Sequence, residues 1–286
     1  MASPDPALYA VFGHPIAHSL SPRLHAAAYR ACGVRGRYYV PVDVEPERLG
    51  AALVAFAALG GRGVNLTRPL KDLDVLARAA GPSLGDVARL AHKARAANTL
   101  RLEPDGRWSA HNTDVVALAA ALAVRSTRDG PAVLFGAGGA ARASLAALGA
   151  RSVIQVVRRP EQPRDGAPRQ VGWEEGLAAT PGAALVLNAT PLGQSGEPDW
   201  EALPHLAAGQ VVVDWAYRDE PTRLARHAAA SGCRVVEGRE LLVRQAAEAW
   251  RIWFSADASG ADIAAVMEAM ARELGMATPA AWEARP

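Results

Sequence analysis

Apolar runs closed by polar or glycine punctuation alternate along this chain with stretches of helical periodicity, and that alternation is the first guide to the fold. Leu8-Tyr9-Ala10-Val11-Phe12-Gly13 reads as a buried strand. Ser21-Pro22 reads as a helix N-cap with proline at the first helical position, opening a helix over residues 23–31. Residues 37–42 alternate as a second strand, 46–59 form a helix that Gly60-Gly61 ends, and 62–66 form a third strand. That strand runs into the loop Asn65-Leu66-Thr67-Arg68-Pro69-Leu70-Lys71, with a helix expected from Lys71. Residues 100–102 and 107–111 flank Asp105-Gly106, a hairpin signal. Strands alternating with helices predict a largely parallel α/β sheet.

A second unit begins near Asp114. A helix over 115–124 and a polar linker over 125–130 lead into Ala132-Val133-Leu134-Phe135, which runs straight into Gly136-Ala137-Gly138-Gly139-Ala140-Ala141. A helix to Leu148 follows, then a strand over 152–157 that ends at Arg158-Arg159, and strands over 183–188 and 210–214, each ending at a polar residue. Two Ala-rich helices, over 239–255 and 261–274, close the pattern. The loop over 160–172, with three prolines and two glycines, is the most mobile-looking stretch.

At 286 residues the chain has length for one large domain or two ordinary ones. A net charge of +2, with no basic run interleaved with aromatics, argues against a nucleic-acid partner. Cys32 and Cys233 stand in no metal-ligand spacing, so no metal site is expected and both thiols are read as reduced and buried. The first residues carry no signal-peptide pattern, and every long apolar stretch is broken by Arg or Gly, so the expectation is a cytoplasmic protein without a membrane partner.

Of 31 basic residues only two are lysines, Lys71 and Lys93, and all four asparagines (Asn65, Asn98, Asn112, Asn188) stand next to or two before a threonine. Arginine holds a surface charge but cannot give up its proton, whereas lysine can. A chain that avoids lysine yet keeps Lys71 beside Asn65 and Thr67 points to an amine used in chemistry; a plain surface lysine is the alternative. Gly136, Gly138 and Ala141 fit G-x-G-x-x-[G/A] after an apolar strand and at the head of a helix, the setting of a dinucleotide pyrophosphate site. The next strand ends not at an acid but at Arg158-Arg159, which suits the 2′-phosphate of NADP better than the bare ribose of NAD. Two exposed arginines without a ligand are the competing reading. Ser19 and Ser21, at a spacing of two, are suited to a small carboxylate, with a simple helix cap as the alternative for Ser21.

Taken in order, these segments resemble the shikimate dehydrogenase family over nearly the whole chain. Gly13-His14-Pro15-Ile16-Ala17-His18-Ser19-Leu20-Ser21-Pro22-Arg23-Leu24-His25 resembles its carboxylate-binding segment, and 63–71 its catalytic-lysine motif. Asn98-Thr99, Asn112-Thr113-Asp114, residues 188–193, Asp214-Trp215-Ala216-Tyr217 and residues 238–247 resemble its later motifs. The resemblance implies an α/β fold: an N-terminal α/β substrate-binding domain (1–113, completed by C-terminal helices in 239–286) and a Rossmann-type doubly wound dinucleotide-binding domain (114–238). It implies an oxidoreductase that reversibly reduces 3-dehydroshikimate to shikimate with NADPH. Lys71 and Asp114 would be catalytic, and Ser19, Ser21, Asn65, Thr67, Asn98, Tyr217 and Gln245 would bind substrate. Gly136, Ala137, Gly138, Gly139, Ala140, Arg158, Arg159, Thr190, Trp215 and Gly238 would bind cofactor. The implied partner is a small-molecule substrate, bound to a monomer or homodimer. Departures from the family pattern fall at Val157, where asparagine is usual, at Arg159, Arg95 and Ala26, and at Trp215, where a smaller apolar residue is common. The rivals are a quinate or aminoshikimate paralogue using NAD and a non-catalytic dinucleotide-binding regulator.

Overall fold

The computed structural model describes residues 6–125, 127–162, 166–254 and 262–277. The N-terminal residues 1–5, linker position 126, positions 163–165 of the proline-rich loop, the helix ends expected at 255 and 261, and residues 278–286 lie outside the described residues. The chain divides into two compact units: one runs to Ala117 and resumes at Leu242, and the other is Leu118–Leu241.

The first unit is built on β1 (Ala7–Gly13), α1 (Ser21–Ala31), β2 (Arg37–Asp43), α2 (Leu49–Ala58), β3 (Gly61–Leu66), α3 (Leu73–Ala80), β4 (Leu84–Val87), α4 (Arg89–Ala94), β5 (Thr99–Leu102), β6 (Trp108–His111) and the start of α5 (Thr113–Ala123). Its six strands lie in the order β2-β1-β3-β5-β6-β4. β2, β1 and β3 are mutually parallel, but β5 runs antiparallel to both β3 and β6, so the sheet is mixed rather than largely parallel. The Asp105-Gly106 hairpin is the cause: a tight turn can only join antiparallel neighbours. β1 reads as a continuous apolar run because both sheet faces are covered. Tyr9 and Val11 face a core completed by residues 243–254 and 263–276, whereas Ala10 and Phe12 face one built from α2 and α3.

The second unit contains β7 (Ala132–Phe135), α6 (Gly139–Leu148), β8 (Val153–Val156), β9 (Arg169–Val171), α7 (Trp173–Ala179), β10 (Leu185–Asn188), β11 (Val211–Asp214), α8 (Arg223–Ala230) and β12 (Arg234–Val236). α9 (Gly238–Phe254) starts in this unit and ends in the first, and α10 (Ile263–Glu273) follows it. The six strands are all parallel, in the order β12-β11-β10-β7-β8-β9. The order reverses between β7 and β10, the doubly wound arrangement whose ligand crevice lies at the carboxyl ends of those two strands. β9 falls inside the loop read as mobile; its backbone pairs with β8, which the three prolines concealed.

Candidate active site

Lys71 is held from both sides by its backbone. In the loop leaving β3, Thr67 N–H donates to Phe12 O at 2.9 Å and Leu70 N–H to Thr67 O at 2.7 Å. The Lys71 carbonyl accepts from Ala97 N–H at 2.9 Å. The following helix begins two residues later than expected, because Asp72 is its N-cap, accepting from the amides of Asp74 and Val75 at 2.9 and 3.1 Å. So placed, Lys71 Nζ lies 2.6 Å from Asp114 Oδ2, with side-chain exposures of 22% and 4%. Asp114 sits in the first turn of α5, where unpaired N–H groups favour a carboxylate. Asn112 caps that helix, accepting from Val115 N–H at 3.1 Å, and donates to Ala96 O at 2.8 Å. Asn112 therefore aims the carboxylate instead of meeting a ligand. Lys93 lies exposed on α4.

Beside the pair runs a buried polar network. Asn65 Nδ2 donates to Asn98 O at 3.1 Å and to Thr99 Oγ1 at 3.0 Å, and Asn65 Oδ1 accepts from Tyr39 Oη at 2.7 Å. Asn98 Oδ1 accepts from Thr113 N–H at 2.7 Å, and Asn98 Nδ2 donates to Thr113 Oγ1 at 3.0 Å. Thr113 Oγ1 reaches Gln245 Oε1 of α9 at 3.5 Å. Asn65 and Asn98 are 6% and 2% exposed. Ser21 is not the helix cap: it is the first helical residue, Leu20 is the cap position, and no side chain caps the helix. Pro22 thus occupies the second helical position, and the chain enters the helix earlier than its proline suggested. Ser21 N–H instead donates weakly to Ser19 Oγ at 3.4 Å, leaving the Ser21 hydroxyl free of capping. Six of the seven expected substrate residues thus belong to the first unit, whereas Tyr217 belongs to the second, its N–H donating to Gln194 Oε1 at 3.0 Å. Tyr39 was missed, because a tyrosine in an alternating strand carries no signal of its own.

In the second unit, buried β7 delivers the turn Gly136–Ala137–Gly138 to the head of α6. Gly136 has φ +113°, and a Cβ there would stand 2.7 Å from Ala189 O, so glycine is required. A Cβ on Gly138 would meet nothing within 4 Å, and no side chain caps α6, so its first amides face open space. These features fit a dinucleotide pyrophosphate. Arg158 and Arg159 follow β8 and are both exposed. Asn188 and Asp214 end β10 and β11 and tie the next loops together. Asn188 Nδ2 donates to Asp214 Oδ1 at 2.8 Å, while Asn188 Oδ1 accepts from Thr190 Oγ1 at 2.6 Å. Asp214 also accepts from Thr222 Oγ1 at 2.5 Å and Ala216 N–H at 3.1 Å; burial nevertheless outweighs these donors and pushes its carboxyl up to about 6. Trp215 Nε1 donates to Ser144 Oγ of α6 at 3.0 Å. Gly238 opens α9 against the Trp215 and Ala216 carbonyls, which a Cβ would meet at 2.8 and 2.5 Å. Cys32 and Cys233 are free thiols, half-buried rather than buried. Among the described residues no group of three or more His, Cys, Asp or Glu could hold a metal ion, and no helix is long and apolar enough to cross a membrane.

Residues 11–100 match the model of the shikimate dehydrogenase substrate binding domain. A shikimate dehydrogenase (NADP(+)) of Anaeromyxobacter dehalogenans is 41% identical over 290 residues, covering 92% of this chain and 96% of that protein. One of Salinibacter ruber is 37% identical over 268 residues, covering 86% and 91%. A crystal structure of shikimate 5-dehydrogenase from Thermus thermophilus in complex with NADP(H) and shikimate superposes with a TM-score of 0.73 at 34% identity, covering 93% and 99% of the two chains. The glycine turn, the lysine–aspartate pair and the asparagine network thus occur in a chain that belongs to the shikimate dehydrogenase family.

Proposed function

We propose that this protein is an NADP-dependent shikimate dehydrogenase that reversibly reduces 3-dehydroshikimate to shikimate, acting in the cytoplasm in aromatic amino acid biosynthesis. The carrying observation is the contact of Lys71 Nζ with Asp114 Oδ2 at 2.6 Å, beside the polar network of Asn65, Asn98 and Gln245. The Gly136–Gly138 turn, with Arg158 and Arg159 for the 2′-phosphate, would hold NADPH, which would supply the hydride. Asp114 accepts one of the three ammonium hydrogens of Lys71 and fixes the amine, leaving two that can point at a substrate oxygen. Lys71 gives a proton to the C3 oxygen during carbonyl reduction and takes it back during oxidation. Ser19 and Ser21 donate to the ring carboxylate, and Asn65, Thr67, Asn98, Gln245 and Tyr217 meet the hydroxyls. Trp215 and Gly238 would border the nicotinamide, and Ala137, Gly139, Ala140 and Thr190 would border the rest of the dinucleotide. We assign residues 1–113 and 239–286 to the substrate domain and 114–238 to the cofactor domain.

The test is nicotinamide absorbance with shikimate or quinate and either NADP or NAD. Rapid turnover with shikimate and NADP is expected. Lys71→Met lowers kcat by roughly 10²–10⁴-fold, the usual worth of a proton-transfer group, whereas Lys93→Met stays within about two-fold of wild type. Equal losses from the two substitutions, or turnover of quinate with NAD only, would refute the assignment.

A further inference from the structure

We infer that Tyr39 is a positioning residue of the shikimate site, its phenol fixing the amide of the hydroxyl-binding Asn65. This rests on the function proposed above. Tyr39 lies on β2 and Asn65 on β3, two strands apart with β1 between them; Tyr39 is paired with Tyr9 and Asn65 with Val11. Tyr9 and Val11 share one face of the sheet, and the phenol reaches along that face to donate to Asn65 Oδ1 at 2.7 Å.

The consequence follows from counting donors and acceptors. Both Asn65 amide hydrogens are committed, to Asn98 O and Thr99 Oγ1, and one oxygen lone pair is committed to Tyr39. Asn98 O can only accept, which fixes the amide so that its oxygen faces the phenol. What remains to Asn65 is a single lone pair, so it receives a substrate hydroxyl as donor and cannot donate to one. The one phenol hydrogen of Tyr39 is spent on Asn65, so the amide holds its aim as the site fills.

The phenol is itself held rigidly. His25 stacks on it with ring centroids 4.1 Å apart and planes 11° apart, and Trp253 lies 6.2 Å away. His25 is fully buried with both ring nitrogens unpartnered, and burial lowers its pKa to about 3, so the stacked ring stays neutral throughout the working pH range. Tyr38, the next residue, is 56% exposed on the other side of the strand.

The experiment is steady-state kinetics on Tyr39→Phe, Asn65→Ala, the double variant and Tyr38→Phe, with shikimate and NADP varied in turn. Tyr39→Phe keeps the ring and its stack and loses only the bond to Asn65. It should raise KM for shikimate about three- to thirty-fold, the range for leaving one buried polar partner unpaired, with kcat within about two-fold and KM for NADP unchanged. In the Asn65→Ala background the same substitution should have no further effect, and Tyr38→Phe should match wild type. An unmoved KM in Tyr39→Phe overturns the proposal; so does the same factor with and without Asn65, or a fall in kcat shared with weaker NADP binding. Wild-type turnover of shikimate is measured alongside. Its absence would refute the proposed reaction, whereas turnover with an unmoved Tyr39→Phe refutes only the positioning role.

Discussion

Arg125 and Glu240 offer a sharp test of how the second unit is held together. The guanidinium forms a two-pronged pair with the carboxylate, Nη2–Oε2 at 2.6 Å and Nη1–Oε1 at 3.1 Å, with both side chains 4% exposed. The other two Nη hydrogens go to Ala121 O at 2.8 Å and Val235 O at 3.3 Å. The pair joins the residue just after α5 to the first turn of α9, within Leu118–Leu241. Removing one partner from such a pair strands a buried charge and costs about 3–5 kcal/mol. Glu240→Ala should therefore lower the melting temperature by roughly 6–20 °C, at ~2–4 °C per kcal/mol for a chain of this size. Replacing both residues by apolar ones of similar volume, Arg125→Met with Glu240→Leu, strands no charge and should recover most of that loss. Urea unfolding followed by tryptophan fluorescence, on Glu240→Ala, Arg125→Met, Glu240→Leu and the double substitution, measures the losses and the coupling between the two sites. The reasoning fails if Glu240→Ala costs less than about 1 kcal/mol, or if the double substitution is as damaging as the sum of the singles.

Two further outcomes are expected. Arg158→Ala should weaken NADP binding about ten- to a hundred-fold, the worth of one charge-assisted phosphate contact, while leaving activity with NAD nearly unchanged; an unaltered NADP:NAD ratio in catalytic efficiency would remove the phosphate from this strand end. For Asp214 the folded protein holds the carboxyl at about 6 against its ordinary 3.8, so folding favours the protonated form. Its contribution to stability is full below about pH 4 and falls as pH rises through about 6. Asp214→Asn keeps the shape without the charge and should gain stability relative to wild type by on the order of 2 kcal/mol between pH 4.5 and 8; a stability difference that does not change with pH would refute the buried-carboxyl account.

The sequence carried the second unit's architecture well, because buried parallel strands are apolar throughout and the glycine turn has one structural setting. It was less direct about short or edge elements. β4, β9 and β12 are three or four residues long, too short for a period to emerge, and their pairing comes from neighbouring strands. The Lys71–Asp114 contact was legible only through resemblance, since 43 residues separate the partners. Tyr39 bonds to Asn65 on another strand, and nothing local in the chain marks it, whereas Asn188 and Asp214 showed as the polar ends of apolar strands. Arg125 looked like part of a polar linker, although its charge is buried, because its partner lies 115 residues away.

The seat of Trp253 has a consequence for how the molecule is made. Its indole fills the space left by the missing side chain of Gly63, where a Cβ would stand 2.4 Å from Nε1, and it donates to Leu100 O at 2.9 Å. Tyr9 packs against the same ring at 5.1 Å and against Phe254 at 5.2 Å. A ribosome that has finished residues 6–117 has therefore produced a sheet with one face covered by α1 alone. That face waits for almost the whole second unit to be synthesised before α9 arrives to complete the cover. Leu118–Leu241 has no such dependence, since its strands and helices are contiguous in the chain. The usual N-terminal-first order of assembly is inverted here: the second unit can complete itself first, while the segments that bear Lys71 and Asn65 become a finished structure only once α9 and α10 have been made.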